Sequence, residues 1–260
     1  MNEHSRRTEL DGVLTVTFTR DEKLNAVSDE MVDALRQAAT DLGDREDLRV
    51  LLITAEGRYF TAGIDVGRFA RPARRSGVAQ RRDYRRLHLL FDELEAIEKP
   101  VVLAAQGPCL GVGLELAASC DFRFAASRTT FALPEVPNLA VLPGSGGISR
   151  LTRLVGPHWA RWLAMAAQPV GADRALMIGL VHEVFEDDDF AANVQAFARS
   201  LTEMSGEALG LAKIAIDAAV SADRATARHL DRIANTLLMQ SDEHREAVAR
   251  FVNRPRSKSD

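Results

Sequence analysis

Two glutamates stand in segments that hold almost no other charge. Glu115 lies in Gly113-Leu114-Glu115-Leu116-Ala117-Ala118, the apolar start of a short helix, and Glu135 follows Phe131-Ala132-Leu133-Pro134. A carboxylate taken out of water without a cation beside it holds its proton more tightly. That suits general acid–base work near neutral pH. For Glu115 alone, a helix N-terminal cap or a buried ion pair is an equally good reading. For Glu135 alone, the plain reading is a carboxylate on a surface loop. Pro134 fixes the backbone ahead of it and removes a competing N–H.

Three glycine-containing loops surround these two positions. The first runs from Gly57 to Asp65, the second from Gln106 to Ala117, and the third from Pro134-Glu135 to Pro143-Gly144-Ser145-Gly146-Gly147. Glycine admits positive φ and lets a ligand approach the backbone. A strand-to-helix loop points free N–H groups at whatever lies above it. Two such loops side by side can aim two N–H groups at one oxygen, the geometry that stabilises an oxyanion. Tight turns would explain any one of the loops. Three in succession, two carrying a glutamate in an apolar setting, argue for chemistry.

The elements that must position these loops can be read from periodicity. Val13 to Thr19 alternates and is rich in β-branched residues, which predicts a strand. Ser28 is an expected N-cap, followed by Asp29 and Glu30 in the first turn and by Val32, Leu35, Ala39 and Leu42 on one face, with Gly43 expected as the stop. Val50 to Ile53 and Val101 to Ala105 are continuous apolar runs, as buried strands require, and Phe122 to Ala125 is a further one. Between them a helix is predicted near 78–97, ended by Pro100. Beyond Gly144 the pattern is helical at about 145–154, 157–166, 172–178, 189–203, 206–220, 223–239 and 241–252, with a short strand near Val181–Val184. Strands alternating with helices give an α/β core, with a helical C-terminal region.

Composition narrows the function. The chain has 260 residues, enough for a sizeable core, and a formal net charge of -4, which gives no reason to expect nucleic acid as a partner. Its two cysteines, Cys109 and Cys120, do not form a disulfide framework pattern, and a reduced, cytoplasmic setting is expected. The residues from Met1 to Arg7 lack an apolar signal core. No run reaches the roughly 20 apolar residues of a membrane span. The six histidines show no paired metal-ligand spacing, so no metal is expected. Ser145 lacks the G-x-S-x-G frame of a nucleophile elbow. Gly111-Val112-Gly113 lacks the third glycine of a dinucleotide fingerprint. Arg71, Arg74, Arg75, Arg81, Arg82, Arg85 and Arg86 form a basic cluster, read first as a solvated face and second as an aid to phosphate binding.

Taken in order, the segments resemble the enoyl-CoA hydratase/isomerase (crotonase) superfamily over nearly the whole chain. Lys23-Leu24-Asn25-Ala26 looks like the early loop at the coenzyme A site, and Gly57 to Val66 matches G-x-x-F-[ST/A]-A-G-x-D-[LIV]. Lys99 to Gly107 matches the strand into the second loop. Pro143 to Gly147 with Arg150-Leu151 and Leu154-Val155-Gly156 matches the helix after the third. Ala172, Ala175, Gly179-Leu180-Val181 and Val184 match A-x-x-A-x-x-x-G-L-V-x-x-V. Glu246 and Phe251 fall where the family has its terminal helix. The order and spacing of these motifs are specific where each alone is weak.

The resemblance implies a spiral of ββα units carrying an acyl-CoA site over residues 1–200, and a helical region over 201–260 for oligomerisation and site closure. It implies that the backbone N–H groups of Ile64 and Val112 hold a thioester oxygen. Glu115 would chiefly activate water and Glu135 chiefly deliver a proton. Leu24, Ala26, Ala62, Gly63, Asp65, Val66, Leu110, Gly111, Pro134 and Phe251 would contact the acyl-CoA. Coenzyme A would enter as part of the substrate, with no separate cofactor, and the chain would form trimers or hexamers. The activity implied is reversible hydration of a trans-2-enoyl-CoA, with Δ3,Δ2-enoyl-CoA isomerisation and acyl-CoA binding without turnover as alternatives. Two positions depart from the family pattern. Val112 replaces a glycine, and Val136 to Leu142 is one residue longer than expected, so that a one-residue shift would exchange Glu135 for Val136.

Overall fold

The computed structural model describes residues 3–68 and 76–253. Arg71, Arg74 and Arg75 lie outside the described residues, whereas Arg81, Arg82, Arg85 and Arg86 are exposed. The chain divides into two units, Met1–Thr202 and Glu203–Asp260.

The first unit is built on a six-stranded sheet, β1 (Ser5–Leu10), β2 (Val13–Phe18), β3 (Val50–Ala55), β4 (Val101–Ala105), β6 (Phe122–Ala126) and β9 (Glu183–Phe185), in that order. β1 is antiparallel to β2, and every later pairing in this sheet is parallel. A smaller sheet orders β5 (Cys109–Leu110), β7 (Thr130–Ala132) and β8 (Val170–Gly171). The chain repeatedly lays a strand in the large sheet, a short strand or bridge in the small one, and then a helix. The helices of this unit are α1 (Asp29–Asp44), α2 (Gly77–Ala96), α3 (Val112–Ala117), α4 (Glu135–Leu139), α5 (Gly147–Ala164), α6 (Ala172–Met177) and α7 (Asp187–Thr202).

Side-chain alternation divides the core in two. Leu51 and Ile53 of β3 point to the cluster that includes Leu35 and Leu42 of α1 and Phe91 and Leu94 of α2. Val50 and Leu52 point to the opposite cluster, with Phe190, Val194 and Ala198 of α7. Both faces are covered, so these strands are apolar throughout rather than alternating. Because β2, β3, β4 and β6 are parallel, the loops after their C-terminal ends emerge on one side, where ligands bind in open α/β sheets.

Several expected boundaries shift for local reasons. Gly43 does not stop α1; the helix continues to Asp44 and ends at extended Arg45. The two helices expected at 145–154 and 157–166 form one element, α5, broken at Gly156 with φ 73 and ψ 164 ahead of Pro157. β1, β5, β7 and β8 are too short or too charged to show a period in the sequence. The second unit holds α8 (Gly206–Ser221), α9 (Arg224–Met239) and α10 (Asp242–Val252), close to expectation. Ser205, Asp223 and Ser241 cap them through side-chain acceptors. Among the described residues, no helix is long and apolar enough to cross a membrane.

Candidate active site

Backbone hydrogen bonds stitch the loops together. Ala62 N–H donates to Leu24 O at 2.9 Å, Val27 N–H to Gly63 O at 2.8 Å, Leu110 N–H to Thr61 O at 3.0 Å and Gly111 N–H to Ala132 O at 2.9 Å. Leu24, Ala26, Ala62, Gly63, Ile64 and Asp65 therefore share one neighbourhood with Leu110, Gly111 and Val112. Asn25, fully buried, holds it from below: its Nδ2 donates to Glu56 O and Tyr59 O, both at 2.8 Å. Arg20 ties the early Lys23–Ala26 loop to the first glycine loop, donating to Ala26 O at 3.0 Å and to Asp65 Oδ2 at 2.8 Å. That guanidinium holds the Asp65 carboxyl below the usual carboxylate range, with Gly67 N–H adding to the effect. Val66 begins a 3-10 turn and is exposed.

The two donor candidates follow from this weave. Val27 pairs with Gly63 O and with Asp65 N–H, so the Ile64 N–H between them faces away from the ladder. Val112 opens α3, whose first amides have no partner within the helix. Among the described residues neither N–H meets a backbone acceptor. Gly111, at φ 55 and ψ -124, adopts a conformation reserved for glycine. A Cβ there would come within 3.6 Å of Gly63 Cα and 2.6 Å of Glu135 Oε1. The two loops and the Glu135 carboxyl thus meet at one point.

Glu115 lies on the first turn of α3 and is only 3 % exposed. Its Oε2 accepts from Ser145 N–H at 2.7 Å and Gly147 N–H at 2.9 Å. Gly147 permits this approach, since a Cβ would lie 2.6 Å from Glu115 Cγ. Burial pushes the Glu115 pKa up; the two amides and the Arg150 charge oppose that shift. Arg150 is itself buried at 5 % exposure.

Glu135 begins α4 rather than sitting on an open loop. Pro137 is accommodated because its nitrogen falls within the first turn, where amides have no helical partner. Asn138 N–H donates to Pro134 O and Ala140 N–H to Val136 O, and Ala140 ends the turn at φ 53. The Glu135 carboxyl is partly buried, and its Oε2 has no hydrogen-bond partner among the described residues. Burial raises its pKa to about 7, and the Glu115 charge adds to the shift. Val136, the residue a one-position shift would substitute, is exposed. Pro134 directly precedes this carboxyl, while Phe251 is on α10 in the second unit and is 75 % exposed.

Both carboxylates and both donor candidates are residues that the sequence singles out. It does not single out the Ser145 and Gly147 amides as partners of Glu115, the Asn25 and Arg20 supports, or any task for Arg150. Asn25 carried a signal, an amide side chain inside an otherwise apolar Leu24-Asn25-Ala26-Val27 run.

The enoyl-CoA hydratase/isomerase family profile matches residues 8–258. The chain is 33% identical over 247 residues to a short-chain-enoyl-CoA hydratase of Clostridium acetobutylicum, covering 93% of this chain and 92% of that one. It is 32% identical over 245 residues to a 1,2-epoxyphenylacetyl-CoA isomerase of Escherichia coli, covering 93% and 92%. An enoyl-CoA hydratase subunit structure from Geobacillus kaustophilus superposes with a TM-score of 0.89 at 30% identity, covering 99% and 98% of the two chains.

Proposed function

Since the chain belongs to the enoyl-CoA hydratase/isomerase family, we propose that it adds water reversibly across the double bond of a trans-2-enoyl-CoA thioester. The observation that carries this reading is the pairing of two differently held carboxylates with two N–H groups that meet no backbone acceptor among the described residues. Two amides and the Arg150 charge oppose the burial that raises the Glu115 pKa, and they orient its carboxyl, which suits the base. Glu135 has an orphaned oxygen and a pKa near 7, which suits the acid.

In this reading Glu115 takes a proton from water as the water oxygen bonds to C3. The C2–C3 π electrons move toward the carbonyl, and the growing enolate charge rests on the thioester oxygen between the Ile64 and Val112 N–H groups. Glu135 then gives its proton to C2, and the charge returns from the oxygen. Release of the Glu115 proton and reprotonation of Glu135 complete the cycle. Each donor at about 2.7–3.1 Å would contribute on the order of 3 kcal/mol to the transition state. The isopropyl group of Val112 leaves its N–H in place. Leu24, Ala26, Ala62, Gly63, Asp65, Val66, Leu110, Gly111 and Pro134 are the proposed contacts of the acyl-CoA, whose coenzyme A arrives with the substrate.

The family's description includes enoyl-CoA isomerases, which supports a second reading, transfer of a proton from C4 to C2 of a 3-enoyl-CoA by a single carboxylate. Product analysis with crotonyl-CoA, longer 2-enoyl-CoAs and 3-enoyl-CoAs separates the two. Wild type turning over none of the 2-enoyl thioesters would rule out hydration; binding without any product would leave an acyl-CoA binder. We also propose that α8 to α10 assemble the chain into trimers or hexamers. Supporting this, Ile216, Val220, Ile233 and Leu237 are each more than half exposed, unusual for apolar side chains that nothing covers.

A further inference from the structure

Arg150 is the buried cation of the third loop, and the proposed chemistry gives it no task. Its Nη1 donates to Ser145 O at 3.0 Å, and its Nη2 reaches Asp92 Oδ1 at 2.5 Å and Glu95 Oε2 at 2.8 Å on α2. Its guanidinium carbon lies 5.8 Å from the centre of the Phe91 ring. Four contacts therefore fix one side chain between α2 and the turn ahead of α5. That turn holds both amides that bind Glu115 Oε2, one of them on Ser145 itself. α2 reaches the same turn a second time, because His88 Nε2 donates to Gly144 O at 2.8 Å and the Tyr84 ring packs on Gly144. A Cβ at Gly146 would strike Arg150 Nη1, so the turn is shaped around the guanidinium.

We infer that Arg150, anchored by Asp92 and Glu95, is a positioning residue that holds the Ser145 and Gly147 amides in place and thereby fixes where the Glu115 carboxylate points. The inference rests on the proposed role of Glu115 for its effect on rate, but not for its effect on the turn. A carboxylate that accepts two amides at fixed angles has one oxygen immobilised and the other aimed. If the turn relaxes by a fraction of an ångström, the aim is lost although Glu115 remains present. Guanidinium is suited to this because its planar fork spreads donors over two terminal nitrogens, reaching a carbonyl on one side and two carboxylates on the other, whereas an ammonium gathers its three donors on one atom.

The test uses the full-length protein with Arg150→Met, Arg150→Lys and the double change Asp92→Asn with Glu95→Gln. Amide exchange at Ser145 and Gly147, read by hydrogen–deuterium exchange, should quicken by about tenfold or more in Arg150→Met. In crotonyl-CoA hydration kcat should fall about 10–100-fold with KM nearly unchanged, since the group lost touches no substrate. The acid limb of the kcat profile should move to higher pH. The charged groups acting on Glu115 are Glu135 from α4 and Arg150 from α5, and only the second is removed. Arg150→Lys should recover part of the rate. The double change keeps Arg150 but frees its far end, and should loosen the turn in the same direction, which keeps the test alive should Arg150→Met fail to fold. In a Glu115→Gln background Arg150→Met should cost little further rate. Unchanged exchange at both amides in folded Arg150→Met, or in the double variant, overturns the clamp. A wild type without hydration overturns the proposed function and leaves the exchange measurement to judge the clamp.

Discussion

Replacing Glu135 by Gln should stabilise the protein at alkaline pH while removing its activity. The carboxyl is partly buried, one of its oxygens has no partner among the described residues, and its pKa is about 7 against an ordinary 4.5. The unfolded chain releases this proton near 4.5, so between about 4.5 and 7 the folded state holds a proton that the unfolded state has lost. Stability therefore falls as pH rises through that window and stays lowered above it. The full displacement corresponds to about 3 kcal/mol, and the solvent that still reaches the group reduces this to about 1–2 kcal/mol. Gln keeps the shape and removes the charge, so Tm should rise by about 2–6 °C at pH 8.5, and the gain should largely vanish at pH 5. Hydration should fall by about 10²–10⁴ at the same time, because C2 loses its proton donor. Scanning calorimetry of wild type and variant at the two pH values, beside crotonyl-CoA turnover, measures both effects. A Tm change of the same size and sign at both pH values would refute the reasoning, since no titration would then lie behind it.

Further expectations concern the remaining parts of the site. Glu115→Gln should retain the fold, because an amide oxygen can accept the same two N–H bonds, while hydration drops about 10²–10⁴-fold; circular dichroism with turnover checks this. Val112→Pro removes the N–H at the first position of α3, where proline is tolerated, and should cost about 10²–10³ in kcat in steady-state assays. Gly111→Ala should destabilise by about 1–2 kcal/mol in urea unfolding through the left-handed backbone, and should lower kcat as well, because its Cβ would fall 2.6 Å from Glu135 Oε1. The wild-type rate should decline above about pH 7 as Glu135 loses its proton, and this limb should be missing from the residual activity of Glu135→Gln. Ile233→Lys with Leu237→Lys should convert a trimer or hexamer into smaller species on sedimentation; a monomeric wild type would contradict the assembly.

Much of this was legible in the residues, and the parts that were not share a cause. Long periodic elements could be read because burial on one or both faces imposes a repeat: β4 occurs over the expected residues, and α2 lies within one residue of its expected span. The strands of the small sheet have two or three residues, too few for any period, although they bring the Thr61, Cys109 and Phe131 segments together. α4 forms within the expected third loop, where a five-residue helix is too short to show a period and Pro137 falls in its first turn. The carboxylates stood out as charges among apolar neighbours. Their partners did not, because backbone amides such as those of Ser145 and Gly147 leave no mark in residue type. The Arg150–Asp92–Glu95 cluster spans more than fifty positions and becomes visible only when α2 and α5 meet.

The third loop is built so that its length can vary without moving Glu135. Glu135 is anchored from the N-terminal side: Ala132 accepts the Gly111 N–H, Leu133 is fully buried, and Pro134 fixes the backbone immediately before the carboxyl. Pro143 to Gly147 is anchored from the other side by His88, Arg150 and Glu115. Between these anchors Val136, Leu139, Val141 and Leu142 are all exposed, and Ala140 takes the left-handed turn that closes α4. An added residue in such a stretch changes the path of an exposed segment, whereas one placed before Pro134 would rotate Glu135 away from Gly111. Lengthening the chain by one glycine after Leu139 should therefore leave hydration within about tenfold of wild type, since loop length alone costs little. The same glycine inserted between Leu133 and Pro134 should abolish it. Equal losses from the two insertions would mean that Glu135 is not held from its N-terminal side, and the assignment of the proton donor would fall with that result.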